Sequence, residues 1–146
     1  MEKEFSVSME LVDNYKFLVD FGSYGELVSD EPEPLGEGQG PNPSRILAAS
    51  VANCLAASLM FALRKFKDEP GKVSAKVKGH LDRVDGRWRI VSMDVDIKLG
   101  NASATLSHLE RALEQFEDFC VVTQSVRNGI NVNVKVEDSD GKLVKG

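Results

Sequence analysis

The chain has 146 residues, 42% hydrophobic and 28% charged, a balance that fits one compact globular domain with a single core. Its net charge of -5 and scattered Lys and Arg leave no basic field for a phosphate backbone, so nucleic acid is not an expected partner. The opening MEKEFSVSMEL lacks the basic start, apolar run and small-residue cleavage site of a secretory signal, and the apolar stretch around Cys54 is interrupted by Ser50, Asn53 and Ser58, so a cytoplasmic protein with no membrane span is expected. In that compartment Cys54 and Cys120 read as two reduced thiols, inert or redox-active, rather than a permanent staple.

Period-two alternation comes first. Phe5, Val7, Met9 and Leu11, then Tyr15, Phe17, Val19 and Phe21 after the turn signal Asp13-Asn14, predict a hairpin, with a short third strand near Tyr24 to Val28. SDEPEPLGEGQGPN, residues 29 to 42, is too rich in Pro, Gly and acid to continue a ladder and reads as a long, functional loop. Asn42 as N-cap and Pro43 at the first helical position open a helix running to about Lys67. A second hairpin follows, with Val73, Ala75, Val77 and Leu81 before the VDGR turn and Val91, Met93, Val95, Ile97 and Leu99 after it. Leu106, Leu109, Leu113 and Phe116 mark an amphipathic helix. Cys120 starts a short helix that Gly129 closes, Ile130 to Val136 forms a last strand, and EDSDGKLVKG is a polar turn with a frayed end. Helix and strand alternate too irregularly for parallel βαβ units, so the class is α+β.

The long helix is small and apolar on nearly every side, with Ala48, Ala49, Ala52, Ala56 and Ala57 around Cys54. A helix of that kind is expected to be buried all round, and a symmetric homodimer would supply the cover that so small a domain lacks. Ser50 and Ser58, one turn to either side, make a thin polar seam with Cys54. Each serine would ordinarily bond back to a carbonyl one turn earlier. Cys120 sits at a helix start, where free amides and the positive dipole end lower a thiol's pKa; a buried packing thiol is the other reading.

GPNPSRILAASVANC, with Asn-Pro opening a long helix that carries a cysteine, and FEDFCVVTQSVRNGINVNVKV, with cysteine, short helix, Arg127 and closing strand, resemble the two signature regions of the OsmC/Ohr family, the osmotically inducible and organic hydroperoxide resistance proteins. The resemblance extends over nearly the whole chain. It implies a single OsmC-like domain over residues 1 to 146, with antiparallel sheets around a long buried central helix, in an intertwined homodimer with its sites at the interface. It further implies reduction of organic hydroperoxides without metal or bound cofactor, Cys54 as the peroxidatic thiol, Cys120 as the resolving one, and an external dithiol as reductant. The chain departs from the family pattern at Ser44, where NPE is usual, and has no arginine before Arg45. Arg45 is the available substitute. Nine helical residues put it ~13 Å along the axis and on roughly the opposite face from Cys54, so it would serve only across the dimer; otherwise it is a first-turn surface side chain.

His80 and His108 lack the spacing of zinc ligands, DSDG lacks the terminal glutamate of a calcium loop, and GEGQG matches neither nucleotide-binding fingerprint. The main alternative to an enzyme is a non-catalytic dimeric binder of small apolar ligands that kept the pocket and lost the activating pair. A partner-binding dimer whose thiols are packing is the third reading.

Overall fold

The computed structural model describes residues 2–146. β1 (Ser8–Asp13), β2 (Lys16–Asp20) and β3 (Glu26–Ser29) form an antiparallel sheet in that order. Asn14 takes φ 50° in the first turn, a left-handed conformation that asparagine tolerates. β3 begins later than Tyr24 because Gly22–Tyr24 winds into a 3-10 turn tied to Asp20 Oδ1, which accepts the Gly22 N–H at 2.8 Å.

The long loop that follows is folded around one carboxylate. Asp30 is 2% exposed; its Oδ1 accepts the Glu31 N–H at 2.9 Å, and its Oδ2 accepts those of Glu37 at 3.2 Å and Gln39 at 3.1 Å. A Cβ on Gly36 would collide with the Glu31 carbonyl oxygen, so the loop closes on its own backbone.

α1 (Pro43–Lys65) starts as expected, with Asn42 Oδ1 accepting the Arg45 N–H at 3.1 Å and Pro43 in the first turn. It stops two residues short of Lys67. That residue takes φ 63°, while its own N–H and that of Asp68 return to the carbonyls of Arg64 and Leu63, both at 2.9 Å, in a Schellman closure. Val51, Ala52, Leu55, Ser58, Leu59, Ala62 and Leu63 form the buried stripe. Asn53, Ala57 and Phe61 lie open, so the chain covers one side of the helix and not its whole circumference. Among the described residues α1 is the one helix long and apolar enough to cross a membrane, so the polar interruptions do not by themselves exclude that. Its buried stripe instead forms the core of the fold.

β4 (Ser74–Val84) and β5 (Arg87–Lys98) make the second antiparallel sheet, turning through Asp85 and Gly86 at φ 52° and 80°, the signature of a tight hairpin turn. Their pairing skips Val91, since His80 faces Ser92 and Leu81 faces Ile90. That bulge reverses the parity of β5: Ile90 turns inward with Met93, Val95 and Ile97, whereas Val91, expected on their face, is 51% exposed.

α2 is shorter than its hydrophobic spacing predicts, covering Leu109–Gln115 with 3-10 turns at Ser103–Thr105 and Phe116–Phe119. Asp68, buried at the end of α1, accepts the His108 N–H at 2.8 Å and fixes where α2 starts. Ala112 takes the buried position and Leu113 points outward. α3 (Val121–Asn128) follows Cys120 and ends at Gly129, φ 76°.

The expected strand from Ile130 to Val136 does not form as such. Only Val136–Glu137 (β6) pairs, with Leu143–Lys145 (β7), in a small hairpin that gives the tail more order than a frayed end. Ile130, Val132 and Val134 pair with no strand of the chain and are 66%, 76% and 55% exposed. Two packed clusters share Ile97 and Phe116: Leu59, Ala62, Leu63 and Ala112 at one end, and Val51, Leu55 and Cys120 at the other. The class is α+β with antiparallel sheets around a long helix.

Candidate active site

The second cluster joins two thiols that stand 66 positions apart in the chain. Cys54 comes from the middle of α1 and is half-buried, while Cys120 is the N-cap of α3 and is fully buried. They pack in one cluster, close enough that each shifts the ionisation of the other, inside a shell that includes Val51, Leu55, Met93, Val95, Phe116 and Val122. Both thiols are free.

The polar seam on α1 is only half what its spacing suggests. Ser50 Oγ donates to the Ile46 carbonyl at 2.9 Å, the ordinary back-bond of a helical serine. Ser58 is buried and turned toward Cys120. Thr123, two residues into α3 after Val121, is also buried, and its Oγ1 donates to the Val51 carbonyl at 3.5 Å.

These neighbours divide the two thiols. Burial pushes the Cys54 thiol up, and the hydrogen bond and charge of Cys120 add to the rise, outweighing the backbone amides of Val122 and Thr123. Burial acts on Cys120 in the same direction, yet hydrogen bonds from Cys54, from the Thr123 side chain and amide, and from Ser58 together hold it below the ordinary thiol range. The amide contributions come from the first turn of α3, where N–H groups have no intrahelical partner. One proton leaves this pair more readily than from an isolated thiol, from Cys120, and the second less readily.

A cavity of about 550 Å³ lies between α1, β5 and α3; neither cysteine lines it, but it shares Val51, Leu55, Met93, Val95 and Phe116 with the thiol shell. At its edge stands an ion pair that sequence reasoning missed: Arg127 Nη2 to Glu117 Oε1, 2.6 Å, both about half-exposed. The turn at Cys120 brings them together, and no spacing rule for a continuous helix would have. Arg45 is elsewhere. It is exposed at the start of α1, with Nη1 donating to Asn42 Oδ1 at 3.3 Å, and it lines a second cavity with Ser44, Ala48 and Leu81. The structure does not bring it to Cys54 of its own chain. His80 Nε2 reaches diagonally across the hairpin to Asp94 Oδ2 at 2.7 Å, and His108 stacks on Phe66.

The family model for OsmC-like proteins matches residues 36–135. The organic hydroperoxide resistance protein-like 1 of Staphylococcus epidermidis is 29% identical over 108 residues, which cover 73% of this chain and 76% of that relative. Among solved structures, an OsmC-like protein from Mycoplasma pneumoniae superposes with a TM-score of 0.71 at 16% identity, over 92% of this chain and 97% of that one. The organic hydroperoxide resistance protein OsmC from Legionella pneumophila does so with a TM-score of 0.65 at 16% identity, over 89% and 93%.

Proposed function

This chain belongs to the OsmC-like protein family, and we propose that within it the chain works as a cytoplasmic thiol peroxidase, reducing organic hydroperoxides through Cys54 and Cys120. The observation that carries this reading is the meeting of two free thiols, one half-buried and one fully buried, in an apolar shell whose residues also wall a neighbouring cavity. The name of the Staphylococcus relative points the same way.

Cys54 takes the first step because it is the thiol that a substrate can reach. Its thiolate attacks one peroxide oxygen: the S–O bond forms, the O–O bond breaks, and the alcohol leaves with a proton. Sulfur is oxidised by two electrons to a sulfenic acid and the peroxide is reduced by two. The more acidic Cys120 then attacks the Cys54 sulfur, the S–S bond forms, and hydroxide leaves as water. An external dithiol restores the pair by exchange. Buried apolar walls favour alkyl over hydrogen peroxide, because a bulky apolar substituent gains from leaving water.

The working form in this reading is a homodimer. The first sheet packs little on the rest of its own chain; Met9 on it is 58% exposed, and Phe5 before β1 and Tyr24 in the turn before β3 are 83% and 88% exposed. Arg45 of a second copy then assists Cys54, since its own chain holds it away. The test treats Cys120→Ser and Cys54→Ser separately with an organic hydroperoxide and traps sulfenic acid. Trapping on Cys54 in the first and little reaction in the second supports the assignment. Comparable trapping on Cys120 in the second reverses it.

One observation favours a second reading, a dimeric binder of small apolar ligands: Cys54 is made harder to ionise by its surroundings. Cysteines that stay reduced under excess organic peroxide, yet are shielded from alkylation by an apolar ligand, would select it.

A further inference from the structure

Thr123 carries a buried hydroxyl beside the thiols, and the peroxidase reading gives it no task. It is 5% exposed, and its Oγ1 reaches the Val51 carbonyl on α1 at 3.5 Å. That carbonyl lies inside a helix and accepts the N–H one turn on, so it does not depend on the threonine. A contact of this length stabilises the fold little. The hydroxyl has one proton to give: it points at the Val51 carbonyl, and the other acceptor in its surroundings is Cys120, the buried N-cap three residues back on the same turn and in one cluster with Val51. A protonated thiol is a poor acceptor; a thiolate is a strong one.

We propose that Thr123 is a positioning residue for disulfide closure: its hydroxyl turns its proton from the Val51 carbonyl to Cys120 as that thiol ionises, and holds the thiolate facing Cys54. The proposal rests on the peroxidase reading but concerns only its second step. There Cys120 sulfur attacks sulfenylated Cys54, the S–S bond forms, the S–O bond breaks and hydroxide leaves as water, the oxidant having been the organic hydroperoxide of the first step. Ser58, also buried, supplies a second hydroxyl to Cys120, but from α1. Thr123 is the one that moves with Cys120, since both ride on the first turn of α3.

The experiment uses the full chain, reduced, with Thr123→Val, which keeps the branched shape and removes the hydroxyl, and Thr123→Ser, which keeps the hydroxyl. One equivalent of tert-butyl hydroperoxide is added across a range of pH, and sulfenic acid and disulfide are followed by quenched mass analysis. Thr123→Val is expected still to form sulfenic acid on Cys54 but to close the disulfide, once that acid is formed, about tenfold more slowly, with the closure profile displaced to higher pH. Thr123→Ser is expected to recover closure. Wild-type closure rate and pH profile in Thr123→Val would overturn the proposal, and so would a Thr123→Ser protein as slow as Thr123→Val, since shape and not the hydroxyl would then be at work. Should the wild type form no sulfenic acid at all, the peroxidase reading fails instead. Ultraviolet thiolate titration without peroxide then decides for Thr123: a first ionisation raised in Thr123→Val supports its role, and an unchanged one overturns it.

Discussion

Cys54 and Cys120 reach each other from different helices, the first from mid-α1 and the second from the N-cap of α3, and each sets the ionisation of the other. Protons shared in this way belong to the pair, so the two thiols titrate apart even though both are enclosed.

The first ionisation of the reduced protein is expected below the ordinary thiol range and the second above it. The sign follows from the neighbours: Cys120 is held down by hydrogen bonds to its thiolate, and its negative charge then opposes a second one on Cys54. Reaction steps that need the Cys120 thiolate therefore level off at lower pH than steps that need the Cys54 thiolate. Removing Cys120 as serine deletes the charge that opposes Cys54, so the Cys54 titration falls toward its ordinary value while burial keeps it above. Thiolate absorbance against pH in the wild type and in each serine variant checks this. A Cys54 titration no lower in Cys120→Ser than in the wild type would show that burial alone sets it.

Asp30 is expected to hold the loop after β3 as one unit. Three backbone N–H groups converge on its buried carboxylate, and alanine would leave them without that acceptor. Hydrogen bonds to a charged group contribute about 1.5–3 kcal/mol each in favourable cases, so a net loss of about 2 kcal/mol is expected after the loop rehydrates. Limited proteolysis should cut Asp30→Ala first between residues 31 and 41. Wild-type resistance there would mean that the loop is held by other contacts.

The first link from sequence to structure was readable wherever a signal is local. Asn42-Pro43 opens α1 and Asp85-Gly86 turns the second hairpin because cap and turn chemistry act within four residues. Two boundaries slipped for local reasons, the end of α1 and the start of β3, but the larger failures need a partner outside that range. Val91 faces outward because of how β4 pairs with β5, α2 begins where Asp68 reaches across 40 positions to His108, and Glu117 meets Arg127 only because the chain turns at Cys120. Of the candidate site, the two cysteines were legible from their own surroundings, and their pairing only through the family resemblance. Thr123 gave no signal, being one hydroxyl residue in a short helix, and Arg45 lies where helical geometry puts it, away from Cys54 of its own chain.

Leu63 is expected to be the most costly single truncation in the core. It is wholly inaccessible and packs with Leu59, Ala62 and Ala112, where α1 meets α2. Leu63→Ala removes the burial and leaves a cavity, at about 3 kcal/mol. Urea unfolding monitored by circular dichroism would read it as a shifted midpoint at unchanged slope. A loss under about 1 kcal/mol would mean that the helices collapse onto the space, as happens at yielding sites.

Val132 tests association. It stands between Ile130 and Val134 in a segment outside any helix or strand, and is 76% exposed. In an isolated chain, Val132→Lys would place a charge in water and change stability by no more than about 0.5 kcal/mol. If the segment pairs with a second copy, the same lysine enters a sheet edge beside apolar side chains, where an unpaired charge is costly. The expected outcome is therefore a folded protein whose dimer dissociates at concentrations where the wild type stays associated. Sedimentation velocity measures the assembly, and circular dichroism of the same samples confirms that the fold survives. A Val132→Lys protein as dimeric as the wild type would remove this segment from the interface and leave the first sheet, with Phe5 and Met9, as the face to be covered.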